Sequence, residues 1–157
     1  MKKPFLPTKY SFGGTSAIIT NLALIIGLST TINAKLNIIG ALLVIAFADN
    51  ISDSLGIHIY QESEGMKSHN VWISTLTNFF SRFLVSLGFI FIIVIFPLNL
   101  ATTISIIYGL LVISIISYLI AINRKTNPIL SIIEHIIIAT IVIFLSKYIG
   151  EFIVDYF

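Results

Sequence analysis

Five apolar runs of about 20 residues each leave this chain few ways to fold, because that is the length a helix needs to cross a bilayer. Of its 157 residues, 57% are hydrophobic and 10% are charged, against about 25% charged in a soluble domain. The runs predict spans at residues 13–32, 37–59, 74–96, 101–122 and 129–149. β-Branched residues dominate them, isoleucine above all. In water that composition favours strands. In hydrocarbon the runs are too long for strands, and backbone polar groups must be satisfied within the segment, so helices win. The expectation is an all-α integral membrane bundle of five transmembrane helices, a single domain over residues 1–157. Lys2 and Lys3 ahead of an apolar run fit a cleaved signal peptide, but Gly13, Gly14 and Asn21 interrupt that run, which therefore reads as a retained span. There is no Cys, which excludes disulfides, zinc–thiolate sites and thiol nucleophiles. A net charge of +2 with scattered basic residues gives no reason to expect a nucleic-acid partner.

Basic residues orient the bundle. With the N-terminus in the cytosol, Lys2, Lys3, Lys9, Lys67, Arg82, Arg124 and Lys125 fall on the cytosolic side, and only Lys35 and Lys147 fall outside. That asymmetry is a positive-inside bias and puts the C-terminus outside. Residues 1–10 read as an irregular basic arm, 33–36 and 123–128 as turns, 61–70 as a polar loop, and 150–157 as an amphipathic tail. In the first span, Gly13, Ser16, Thr20, Ala23 and Gly27 share one face. Small residues at that spacing allow close helix approach, and this face is the expected contact of a homodimer, which Gly27→Leu should weaken by steric exclusion.

Residues 41–65, ALLVIAFADNISDSLGIHIYQESEG, carry Asp49 and Asp53 one turn apart inside the second span, then Glu62 and Glu64 beyond it. At about 100° per residue, Leu42, Ile45, Asp49, Ser52, Asp53, Gly56, Tyr60 and Glu64 form one stripe. Carboxylates within a membrane helix are expensive and mark ion or proton paths by default. Asp53 lies about six residues, ~9 Å, above the cytosolic end of its span. Glu134 and His135 in the fifth span, Arg82 in the third, and Ser16 and Asn21 in the first lie in the same half of the bilayer. Together they predict one polar layer. Arg82 serves either as a counter-ion to the acids or as a snorkelling surface residue. His135 reads as a metal ligand or a structural histidine, and Glu62 and Glu64 as a metal-collecting mouth or a solvated loop. His58 lies about 180° from Asp49 on an ideal helix. Carboxylate with imidazole suits iron(II), manganese or zinc, and carboxylate alone suits magnesium, calcium or manganese. Side chains four apart approach each other, so each acid opposes ionisation of the other, and the pair is expected to hold a proton until a divalent ion displaces it.

Two stretches resemble a known family. FGGTSAIITNLALIIGL at residues 12–28 is similar to the first-helix signature of the vacuolar iron transporter family. ADNISDSLGIHIYQESE at residues 48–64 is similar to its second-helix pattern. The SDSLGIH stretch, residues 52–58, resembles a short prokaryotic branch, which implies the cell (inner) membrane of a prokaryote. The resemblance implies export of iron(II) or manganese from the cytosol in exchange for protons, by a dimer with its pathway between subunits. Asn21, Asp49 and Asp53 would line that pathway, with Glu62 and Glu64 at its cytosolic mouth. The chain departs from the family at Thr15, Ser16 and Ala17, where the family has Asn-Asp-Gly. It also has Asp53 in place of a methionine, and residues 61–70 in place of a helical metal-binding insert.

The resulting expectation is a transporter of divalent metal cations. The metal would be a substrate and no cofactor would be permanently bound. The metal ligands would come from Asp49, Asp53, Glu134, His135, Glu62 and Glu64, and Ser16, Asn21, Ser52 and Arg82 would line the pathway. The alternative is a non-transporting membrane scaffold or assembly protein with an inherited transporter fold. No nucleophile–base arrangement and no HExxH motif point to an enzyme. The topology has a direct check. A C-terminal tag should be reachable only from outside the cell, and labelling confined to the cytosolic face would reverse the assignment.

Overall fold

The computed structural model describes residues 7–156, with side chains from residue 13 onward. It is helical throughout, with no strand among the described residues. The helices are α1 (Pro7–Leu28), α2 (Ala34–Ser63), α3 (Ser68–Ile95), α4 (Leu98–Arg124) and α5 (Pro128–Tyr156). Helices α2 to α5 are each long and apolar enough to cross a membrane, and the described apolar part of α1, Gly13–Leu28, is shorter.

Helix ends fall where the backbone is capped, not where hydrophobicity stops. Helix α2 continues through Glu62 to Ser63, so the expected loop at 61–70 shrinks. Gly65 then takes a left-handed conformation, φ 69°. Its N–H donates to Glu62 O (2.9 Å) and the Met66 N–H donates to Gln61 O (3.1 Å), closing the helix. Lys125 closes α4 the same way, at φ 56°, with Thr126 N–H on Ala121 O at 2.9 Å. Asn127 Oδ1 accepts from the N–H groups of Ile129 (3.0 Å) and Leu130 (3.4 Å), with Pro128 in the first helical position, where its missing N–H costs nothing. Lys35 Nζ donates to Val94 O (3.1 Å) and Phe96 O (3.0 Å), satisfying carbonyls at the end of α3. The first turn falls at residues 29–33, earlier than expected. Residues 7–10 belong to α1, residues 1–6 of the basic arm lie outside the described residues, and residues 150–156 continue α5 in place of a separate tail.

Helix α1 packs against all four others, α3 lies against α2 and α4, and α5 lies on α1 and α4. Consecutive helices run antiparallel, whereas α1 runs parallel to α3, with Gly13 at Asn78 and Asn21 at Ser86, and parallel to α5, where Gly27 and Gly150 meet near both C-terminal ends. The dry core gathers towards the end marked by the 29–33 and 96–97 turns: Ile18, Leu22 and Ile25 of α1, Ile38 and Leu42 of α2, Phe89 and Ile93 of α3, Ala101 and Ile113 of α4, and Ala139 of α5. Towards the other end, marked by Lys67, Arg124 and Lys125, lie Ser54, Ser74, Asn78 and Ser117, while buried Ser105 stays within the core end. In α5 only Ala139 and Gly150 are buried, so nearly all of its surface faces outward.

Two sequence expectations change. The small-residue face of α1 is used within the chain. Gly13 abuts Asn78 and Arg82 of α3. Thr20, Ala23 and Gly27 border a groove whose other wall is Ile149, Gly150 and Ile153 of α5. Gly27 therefore packs on Gly150 of α5 within its own chain, while Thr20 and Ala23 stay half-buried along the groove. The stripe on α2 also moves. Ile45–Asp49 forms a π turn, which inserts one extra residue relative to α geometry. Beyond it, Asn50 and Ser54 continue the buried line of Ala34, Ile38, Leu42 and Ala46. Asp49 and Asp53 sit one residue off that line.

A Cβ at Gly150 would collide with the carbonyl of Gly27, whereas at Gly40 it would meet open space. Gly150→Ala should therefore destabilise by about 1–3 kcal/mol, while Gly40→Ala should be neutral or stabilise by up to about 1 kcal/mol. Thermal unfolding in detergent checks this, and equal shifts for the two variants would contradict the close α1–α5 contact.

Candidate functional site

A polar stripe runs along α3. Ser74, Asn78, Arg82 and Ser86 recur every four residues and are all buried. Four-residue spacing keeps them near one face of the helix, which faces both α1 and α2. Arg82 is the largest fully buried side chain, with 1% exposure. Its Nε donates to Asn50 Oδ1 at 2.8 Å, and its Nη2 donates to Asp49 Oδ2. Its Nη1 lies 3.3 Å from Asp53 Oδ2, close enough for an ion pair but not aligned for a hydrogen bond. One guanidinium thus holds two carboxylates through a planar fork, a geometry lysine cannot reproduce.

Second contacts hold these groups in turn. Asn50 Nδ2 donates to Ala46 O (2.9 Å), back into the π turn. Asn78 Nδ2 donates to Asp53 Oδ2 (3.0 Å) and Ser54 Oγ (3.1 Å). Asn21 Nδ2 donates to Ala17 O (2.7 Å) and Ser86 Oγ (3.0 Å). Gly13 leaves room for Asn78 and Arg82 under α1, since a Cβ there would strike Asn78 Oδ1. Four buried polar atoms in this region accept or donate no hydrogen bond: Asn21 Oδ1, Ser74 Oγ, Asn78 Oδ1 and Arg82 Nη1. The acids are less enclosed than the arginine. The side chain of Asp49 is 43% exposed and that of Asp53 28% exposed.

The structure therefore brings together Asp49, Asp53 and Arg82, with Asn21 one turn further along α3 at Ser86. Other expected members lie elsewhere. Ser52 is exposed on α2, and Ser16 is half-buried on α1. Glu62 reaches back one turn to His58, whose Nε2 lies 3.3 Å from it. His58 Nδ1 sits 2.9 Å from Thr75 Oγ1, so this histidine ties α2 to α3 near the helix ends. Glu64 is exposed. On α5, Glu134 is exposed and His135 Nδ1 pairs with Ser117 Oγ of α4 at 2.7 Å. The Ser117 hydroxyl donates to Ile113 O, so Nδ1 of His135 carries the hydrogen of that contact. The expected single layer is thus split between the α2–α3 seam and the α4–α5 seam. Among the described residues, no three of His, Asp, Glu or Cys gather in a group that could hold a metal ion.

The proton expectation also changes its footing. It held only if Arg82 did not pair with the acids, and Arg82 stands against both. The trio carries a net charge of −1 and its donors are oxygen-rich, which suits a cation as ligand. No activated nucleophile accompanies it. Comparison with family models, with curated proteins and with solved structures gives no match.

The sequence reading missed Asn50, Ser54, Asn78 and Ser86. The signal for Asn78 and Ser86 was the four-residue recurrence of polar groups along apolar α3, and Asn50 and Ser54 recur at the same spacing on α2. Removing Arg82 would leave two uncompensated acids. Breaking a buried pair costs about 3–5 kcal/mol, and the exposure of Asp49 reduces this, so Arg82→Leu should lose about 2–3 kcal/mol. Adding Asp49→Asn to Arg82→Leu should recover part of the loss. Additive effects in a double-mutant cycle would mean the two residues do not interact.

Proposed function

We propose that this chain is a multi-pass membrane transporter of divalent metal cations whose pathway passes Asp49 and Asp53. The observation that carries the reading is a fully buried arginine paired with two partly open carboxylates inside membrane-length helices. Ionised groups at such a depth are costly and are characteristic of substrate and ion paths. The oxygen donors of the two acids suit hard or borderline divalent ions. Iron(II) and manganese, export from the cytosol, exchange for protons and a dimeric assembly are the refinements suggested by the likeness of residues 12–28 and 48–64 to the vacuolar iron transporters. The positive-inside bias supports a cytosolic N-terminus, with α1 as the fifth span.

A second reading is a membrane scaffold that keeps the fold without transport. It is favoured by Arg82, which satisfies both acids without any added ion. Reconstitution separates the two. Liposomes containing the wild-type protein should accumulate manganese or iron(II) above empty liposomes, and an Asp49→Asn, Asp53→Asn double variant should fall to background. Uptake equal to empty liposomes for iron, manganese, cobalt and zinc would overturn transport. A double variant that behaves like wild type would remove the acids from the pathway.

A further inference from the structure

Arg82 has two sets of neighbours. On its α2 side stand Asp49, Asp53 and the Asn50 oxygen. On its α1 side, Asn78 Oδ1 and Asn21 Oδ1 are buried and accept no hydrogen bond. Asn78 is one turn before Arg82 on the same helix, and Asn21 is held on Ser86, one turn after it. The guanidinium itself has Nη1 without a hydrogen bond. Arg82 and Asn78 share one face of α3 and Asn21 meets that face from α1; a buried donor without an acceptor and buried acceptors without a donor are each costly. With Arg82 on the acids, none of the three is satisfied.

We infer that Arg82 is a tethered cation that occupies the carboxylates when substrate is absent and is displaced towards Asn78 and Asn21 when a divalent ion binds. The inference rests on the proposed transport reading and specifies how its site is regulated. The charges give the reason. With Arg82 in place the trio carries −1, and a divalent ion added on top must sit against the guanidinium's own positive charge. Moving the guanidinium onto amide oxygens leaves the total at +1 but puts the ion alone against the two carboxylates, −2 facing +2. The displaced cation then fills acceptors that are otherwise empty, and its planar fork suits more than one amide oxygen. The two arrangements compete, so the arginine lowers apparent affinity and keeps the acids compensated in the empty site.

The test uses zinc, which is divalent and diamagnetic, with the full-length protein in lipid nanodiscs. Calorimetry compares wild type, Arg82→Gln and Arg82→Lys. Loss of one charge-assisted competitor should tighten zinc binding about tenfold in Arg82→Gln. Arg82→Lys keeps the charge and should fall between the two. Equal or weaker binding by Arg82→Gln would overturn the inference and leave transport standing. Zinc binding gained by Arg82→Gln and absent from wild type would mean that the ion does not displace the guanidinium, which overturns the inference and leaves transport to the uptake assay. Absence from both would likewise overturn the inference, and transport would stand or fall by uptake of iron, manganese, cobalt and zinc. A second measurement needs no change at Arg82. The chain has two arginines, Arg82 and Arg124, so protein labelled with nitrogen-15 arginine gives two Nε–H signals, assigned with Arg124→Lys. Saturating zinc should shift the Arg82 signal as its bond to Asn50 is lost. A signal unchanged at saturation would show that the guanidinium stays in place, which overturns the inference even where Arg82→Gln fails to fold.

Discussion

The fold of this chain is organised by the need to compensate one positive charge inside an apolar bundle. A guanidinium with 1% exposure cannot be left unpaired. Each of the first three helices answers that need. Helix α2 supplies two carboxylates and an amide oxygen, and its π turn presents them in a register an ideal helix would not give. Helix α3 supplies Asn78, which holds one carboxylate and a serine in place. Helix α1 supplies a glycine where a side chain would collide. The dry core at the opposite end serves the same arrangement, because it holds the three helices at the spacing the ion pairs require. Lipid tails are as apolar as isoleucine, so this spacing is set by close packing and not by hydrophobic exclusion.

Much of the architecture was legible in the sequence because hydrocarbon constrains the chain so strongly. Five helical runs, their order and the membrane class follow from run length alone. Their ends did not follow, since Gly65, Lys125 and Asn127 set those through local hydrogen bonds that hydropathy does not register. The association of Asp49, Asp53 and Arg82 was foreseeable as opposite charges seeking each other at one depth. The place of Glu134 and His135 was not. Depth along a helix can be counted from sequence, but the neighbour across the seam depends on helix order in space. Asn50 and Ser54 were hidden for another reason. A stripe drawn at a constant angle per residue cannot foresee a π turn, and one extra residue moves every later side chain by a full position.

The two histidines show how the same side chain serves structure away from the acids. His58 joins Thr75 across α2 and α3, and its edge packs on Trp72 with ring centroids 4.7 Å apart. His135 joins Ser117 across α4 and α5. Each fastens one pair of adjacent helices, and α1 lies between the two fastened pairs. The bundle is thus two pinned hairpins around a central rod.

The π turn at Ile45–Asp49 gives this arrangement a mechanical side. It divides α2 into an upper half bedded in the core against α1 and α3 and a lower half that packs on α3, with Asp49 at the end of the turn and Asp53 one turn beyond. A widened turn breaks the regular hydrogen-bond ladder and is a natural point of bending. Flexure there would swing Asp49 and Asp53 as a unit while Ile38 and Leu42 stay anchored. A single backbone turn thus stands where the acid-bearing half of α2 begins.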